Sequence, residues 1–299
     1  MSKLVGILLQ DKYAGFCITA ENDGVVVSLA KIGTPTYNLK YSYNGKTWYT
    51  FADSVNSISN TVTLNTGDKV YLKGIYSGQS DANYIMIRCT ANKYVKFSGN
   101  LYSILDEHNF KTLTSLANYN TYTFYRLFYS NTAYINAEDL VLPATTLVAH
   151  CYHGIFHYSG VYKSIKILPA LVLTDSCYYS FYESCHYLVD APILPALILA
   201  ANCYRAMFNV CYALIKGPDL MATVLATNCY RYLYNSCQSI AYIKIAYTGN
   251  FSNTYFQNWV QSTAGSSLFP ATGDFYYNGS DTTRGANAIP TGWTIKTFN

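Results

Sequence analysis

The sequence predicts an α+β protein: an N-terminal β-sandwich over residues 1–98, then a short solenoid of 26-residue repeats over 141–248, with capping segments at 99–140 and 249–299. Three observations predict it. Cys151, Cys177, Cys203 and Cys229 recur every 26 residues, each followed by tyrosine, and a fixed period of that length marks stacked repeats. Residues 1–98 alternate apolar and polar side chains in short runs separated by turn signals. The whole chain is 51% apolar and only 12% charged, the composition of a folded protein with a charge-poor surface.

Taken in order, the chain opens on MSKLVGILLQDK, whose apolar run Leu4 to Leu9 is short for a signal-peptide core and has no cleavage site or lipobox cysteine after it. Folding in a cytoplasm is therefore expected. Tyr41 to Trp48 reads as a hairpin closed by Asn44-Gly45. Val62 to Leu64, Val70 to Leu72, Tyr84 to Cys89 and Tyr94 to Phe97 read as further strands, punctuated at Thr66-Gly67-Asp68 and Ser77-Gly78-Gln79; about seven strands suit a sandwich. In 99–140, Phe124 to Phe128 reads as a degenerate copy of the repeat that follows and would cap it.

The repeat itself is L-P-A-x-x-L-x-x-x-C-Y-x-x-Φ-Φ-x-x-C-x-x-L, where Φ is a large apolar residue. Pro143, Pro169 and Pro195 keep the step, as do Leu147, Leu173, Leu199 and Leu225. A second cysteine series, Cys185, Cys211 and Cys237, keeps it too, with Ser159 in its first place. Cys203, Met207, Phe208 and Cys211 fall at i, i+4, i+5 and i+8, one face of a short helix. Tyr212 to Lys216 and Ala241 to Ile245 read as strands. A helix and a strand in each unit is the leucine-rich-repeat build, whose core comes from stacking. The closing 249–299 is rich in Gly, Asn, Ser and Thr, with Trp259 and Trp293 as anchors.

The two cysteine ladders suit buried thiols, since C-x7-C is not a zinc-finger spacing and two helical turns exceed disulfide reach. At these residues the chain resembles the BspA-type leucine-rich repeats of gut Bacteroidetes and their phages. The stretches that carry the resemblance are LPATTLVAHCYHGIF (142–156), APILPALILAANCYRAMFNVC (191–211) and MATVLATNCYRYLYNSC (221–237). Upstream YSYNGKTWYTF, LNTGDKVYLKG and VKFSGNLYSIL resemble the β-domain that precedes such arrays, and NWV with AIPTGWTI resembles their closing segment. The resemblance, together with the missing export signal, implies a virion protein, a head or tail fibre or decoration protein of a crAss-like phage. A bacterial cell-surface adhesin or glycan-binding protein is the alternative.

Motifs for chemistry are sparse. His150, His153 and His157 invite a metal site, yet they align with the repeats' variable positions and read as solvent-facing side chains. Asp106-Glu107-His108 stands without partners, and Asp175, Asp190 and Asp219 are isolated. With no phosphate loop or nucleophile elbow, the reading is non-enzymatic, with no cofactor and no metal. A net charge of +4 without basic runs argues against nucleic acid, and no apolar stretch is long enough for membrane insertion.

Function then falls to the 32 tyrosines. Tyr152, Tyr178, Tyr204 and Tyr230 recur at one register position and read as a structural ladder. Tyr179, Tyr182, Tyr187, Arg205, Tyr212, Arg231 and Tyr232 are the expected interaction face. Its expected partners are other virion proteins, copies of the same chain in a homo-oligomer, or a host surface glycan or protein.

Overall fold

Period-two burial shapes the first part of the chain. The computed structural model describes residues 15–51, 61–77, 79–261 and 269–298. Strands β1 (Cys17–Ala20), β2 (Val25–Ile32), β3 (Thr36–Ser42), β4 (Tyr49–Thr50), β5 (Thr61–Leu64), β6 (Lys69–Ser77), β7 (Tyr84–Cys89) and β8 (Tyr94–Asn100) pair antiparallel in two sheets. Along β6, Val70, Leu72, Gly74 and Tyr76 are buried and alternate with more open neighbours. Both sheets feed one apolar cluster that includes Val25, Val27, Leu72, Ile87, Val95 and Phe97. The Asn44-Gly45 turn lies between β3 and β4, as a wider loop than a two-residue hairpin; Asn44 Oδ1 accepts from the Lys46 and Thr47 amides at 2.9 Å. Gly78 and the opening MSKLVGILLQDK lie outside the described residues.

At β8 the sheet turns parallel. β9 (Tyr134–Val141) pairs with β8, and β10 (Gly160–Lys163) pairs with β9, so one seven-stranded sheet runs β10-β9-β8-β1-β6-β3-β4. It crosses both the 98/99 and the 140/141 positions. A second parallel sheet holds β11 (Lys216–Leu220), β12 (Tyr242–Ile245), β13 (Asp274–Tyr277) and β14 (Thr294–Lys296). Between β10 and β11, residues 186–193 form no strand, only a bridge from Ile193 to Ile167.

The predicted α+β class is overturned. Among the described residues the only α-helix is α1 (Asn253–Phe256), beside a 3-10 turn at Leu101–Ile104. The molecule is β-rich, and its repeats are not the helix-and-strand leucine-rich-repeat solenoid. Backbone conformation gives the reason. Ser176, Ser180 and Ser184 and their counterparts Asn202, Ala206 and Val210 all have φ between 53° and 62°. A left-handed residue at every fourth position breaks an α-helix, so the stretch becomes a run of four-residue turns.

Every amide in that run is used. Tyr179, Phe181, Glu183 and Cys185 donate to the carbonyl three residues back. Tyr178, Ser180, Tyr182 and Ser184 donate instead to the next unit, at Cys203, Arg205, Met207 and Asn209. The units therefore stack turn upon turn, and their rings stack with them. Tyr102, Phe124 and Tyr152 begin one column, which continues through Tyr178, Tyr204 and Tyr230 to Phe256 with centroids 5.4–6.2 Å apart. A second runs from Phe128 through Phe156, Tyr182, Phe208 and Tyr234 to Trp259. The expected strand Tyr212 to Lys216 is also corrected: 212–213 is turn, 214–215 is irregular, and β11 starts at Lys216.

All nine cysteines are free and buried. In the second series the thiols of Cys185, Cys211 and Cys237 donate to the carbonyls of Phe156, Tyr182 and Phe208 at 3.0–3.1 Å, which ties each unit to the one before it.

Candidate interaction surface

The expected interaction residues do not form one face. Tyr182 is fully buried in the second ring column, and its Oη accepts from the Ile165 amide at 3.1 Å, so its place on the surface is corrected to the core. Tyr179 and Arg205 belong together: the guanidinium carbon sits 5.0 Å from the ring centroid, and His153 stacks against the same ring at 4.5 Å. Arg231 lies 4.9 Å over Tyr232 and donates to its Oη at 3.4 Å, which holds that phenol below its ordinary range. These four, all half-buried, form an outer row along the turns. Tyr187 and Tyr212 are elsewhere, Tyr187 edge-on to Tyr134 at 5.1 Å and Tyr212 stacked on His186 at 4.6 Å.

The histidines are corrected too. They are not solvent-facing; each joins a ring row, His150 on Tyr122 at 4.6 Å, His153 on Tyr179 and His157 on Tyr158 at 4.4 Å. Burial, then the neighbouring His150 charge, depresses His153 to about 3. His150 Nδ1 and His153 Nδ1 lie 3.4 Å apart, and among the described residues no three His, Cys, Asp or Glu side chains gather as metal ligands.

The carboxylates are engaged structurally. Glu107 takes Lys40 at 2.8 Å and Lys73 at 3.2 Å; burial works against its charge, but the two lysines hold its pKa below the ordinary value. Asp106 accepts the amides of His108 and Asn109 at 3.0 Å. Asp219 binds Lys244 at 2.9 Å and the Tyr242 hydroxyl at 3.0 Å, and Asp190 accepts the Ser164 amide at 2.8 Å.

What the residue reading missed is an apolar face. In Leu-Pro-Ala-x-x-Leu the two x positions point outward: Leu171 and Val172, Leu197 and Ile198, then Thr223 and Val224 are all exposed. Bridges from Val172 to Ile198 and from Ile198 to Val224 set them in adjacent rows. A cleft of about 810 Å³ beside them is lined by Leu171, Val189, Ile193, Leu197 and Met221, with Asp190, Lys216 and Lys244 at its polar edges. It lies beside β11, where the stretch before it in the stack forms only the Ile193–Ile167 bridge. A paired β-branched or leucine doublet between buried positions is the only sequence signal for it.

A smaller cleft of about 280 Å³ joins Tyr134, Tyr158, Tyr187 and His186 with Asn92, Thr132 and Ser184. Among the described residues no helix is long and apolar enough to cross a membrane. No protein-family model, no curated protein and no solved structure matches the chain.

Proposed function

We propose that the chain is a non-enzymatic structural protein of a phage particle, a head or tail fibre or decoration protein, whose stacked repeats present a contact surface to other virion proteins, to copies of itself or to the host surface. The observation that supports it is the apolar face. Leu197 and Ile198 are 51% and 47% exposed at its centre, and contiguous apolar surface of this extent marks a protein contact rather than an ordinary solvated face. The virion setting rests on the resemblance of the repeat sequence. With few charges on the chain, contact energy comes from apolar and aromatic burial, so association should depend little on salt.

The test is paired substitution. Leu197→Asp with Ile198→Asp should block incorporation into particles, and Tyr179→Ala with Arg205→Ala and Arg231→Ala should report on the outer row. Loss of host adsorption alone assigns a face to receptor contact. Unchanged incorporation and adsorption in both sets sinks the proposal.

A second reading, a cell-surface adhesin or glycan-binding protein, is favoured by the aromatic cleft, where tyrosine faces for stacking a sugar ring stand beside amide and hydroxyl groups. Tyr158→Ala and Tyr187→Ala should then abolish binding to a panel of neutral oligosaccharides while leaving particle incorporation intact.

A further inference from the structure

The contact role proposed above leaves open what covers the apolar face, and this inference rests on that reading. We infer that a second copy of this chain docks there, about a two-fold axis that passes between the repeat of Asp190 and the repeat of Lys216.

Three features carry it. The first is area. Leu171, Val172, Leu197, Ile198 and Val224 lie on the rows, and Val189, Ile193, Ile215 and Met221 lie beside them; all nine are exposed. Roughly half of each is open to solvent, on the order of 800 Å² together, which is about what one partner contributes to a stable interface. The face thus supplies most of one partner's share of a dimer.

The second is extent. The outward positions are Thr145 and Thr146 in the first unit, apolar in the next two, and Thr223 with Val224 in the fourth. An end-to-end assembly along the stack would call for apolar rows throughout. A patch with polar ends closes on itself, as an isologous pair does.

The third is charge. Asp190 and Lys216 occupy the same register position in neighbouring repeats, carry opposite signs, and both line the cleft. A two-fold axis between those repeats sets each Asp190 against the partner's Lys216 and each Ile198 near the partner's Val224. The axis through the Asp190 repeat itself would instead oppose like charges, which is costly at an interface. The sequence therefore selects one axis among those the apolar rows allow.

The experiment is sedimentation equilibrium on the full chain between about 1 and 50 μM, the range in which a pair of micromolar affinity is partly dissociated. Wild type should be dimeric. Ile198→Asp, at an exposed position that leaves circular dichroism unchanged, should raise the dissociation constant by roughly a hundredfold, the effect of forcing a charge into a desolvated centre. Asp190→Lys and Lys216→Asp should each weaken the dimer, and the double exchange should restore it. A monomeric wild type, or a dimer indifferent to Ile198→Asp, overturns the inference; a dimer indifferent to both charge reversals overturns the axis. Should wild type be monomeric while Ile198→Asp still blocks particle incorporation, the contact role stands and only the second copy is lost. If neither behaviour responds, both fall.

Discussion

At the scale of single residues the repeat depends on side chains that tolerate a left-handed backbone. Ser176, Ser180, Ser184, Asn202 and Asn228 occupy such positions, and Gly154 stands in register with Ser180. Asparagine and glycine enter this region at low cost, while a β-branched residue is an outlier there. Val210, at φ 62° and half-buried, is that outlier, and its amide donates to the Asn235 carbonyl at 2.8 Å, so the turn cannot relax without losing a tie between units. The strain costs on the order of 1 kcal/mol. Val210→Asn keeps the backbone bond and relieves it. A urea titration should show stability rising by about 1 kcal/mol; a lower midpoint would mean that the valine methyls contribute more by packing than the backbone loses by strain.

At the scale of the element, the ring columns are held by stacking more than by their hydroxyls. Tyr178 and Tyr230 bury Oη atoms that have no hydrogen-bond partner, and phenylalanine already stands in this column at Phe124 and Phe256. Tyr178→Phe should therefore stabilise the protein by about 1 kcal/mol, since a buried hydroxyl without a partner carries its desolvation penalty unrelieved. Tyr182→Phe should do the opposite by a similar amount, about 1–2 kcal/mol, because it strands the Ile165 amide. Thermal melts of the two variants check both signs at once. The 26-residue register behind these columns was legible from the cysteines and tyrosines alone, and so were most strands of the first hundred residues, where alternation is regular. The turns were not, because Cys203, Met207 and Cys211 repeat every four residues, and over nine residues a period of 4.0 differs from 3.6 by less than one position. The discriminating signal was serine or asparagine at Ser176, Ser180, Ser184, Asn202, Asn228 and Ser236, and it is broken by Ala206, Val210 and Tyr232 at equivalent places. The apolar face escaped for another reason. Leu171-Val172 and Leu197-Ile198 have the composition of core, and only the stack decides which side of the chain meets water.

Across the whole molecule, burial of ionisable groups in neutral form sets the pH range of stability from both sides. Burial pushes the thiols of Cys177, Cys185 and Cys229 up to about 12, and it raises the phenols of Tyr152, Tyr182, Tyr204 and Tyr234 well above their usual value. In the unfolded chain thiols ionise near pH ~8.5 and phenols near ~10. The native state thus binds more protons than the unfolded state above about pH 8.5, so stability is complete below that value and falls as pH rises toward 12. On the acid side the order reverses. His153 is depressed to about 3 from an unfolded value near ~6.5, so its contribution is complete above about pH 6.5 and is lost as pH falls toward 3. Asp139, Asp281 and Glu107 are also lowered, and their share is lost only below the ordinary carboxylate range, about pH 4. Scanning calorimetry from pH 3 to 11 should give a plateau between about 6.5 and 8.5, a shallow decline from 6.5 to 4.5 and a steeper one below. His153→Tyr, the residue its neighbour Tyr179 already places in that row, should reduce the shallow decline, with His157 and His186, also lowered by burial, supplying what is left, while the alkaline limb stays unchanged. A wild-type melting temperature that does not move between pH 7 and 5 would show that the histidine row is solvated rather than packed into the stack.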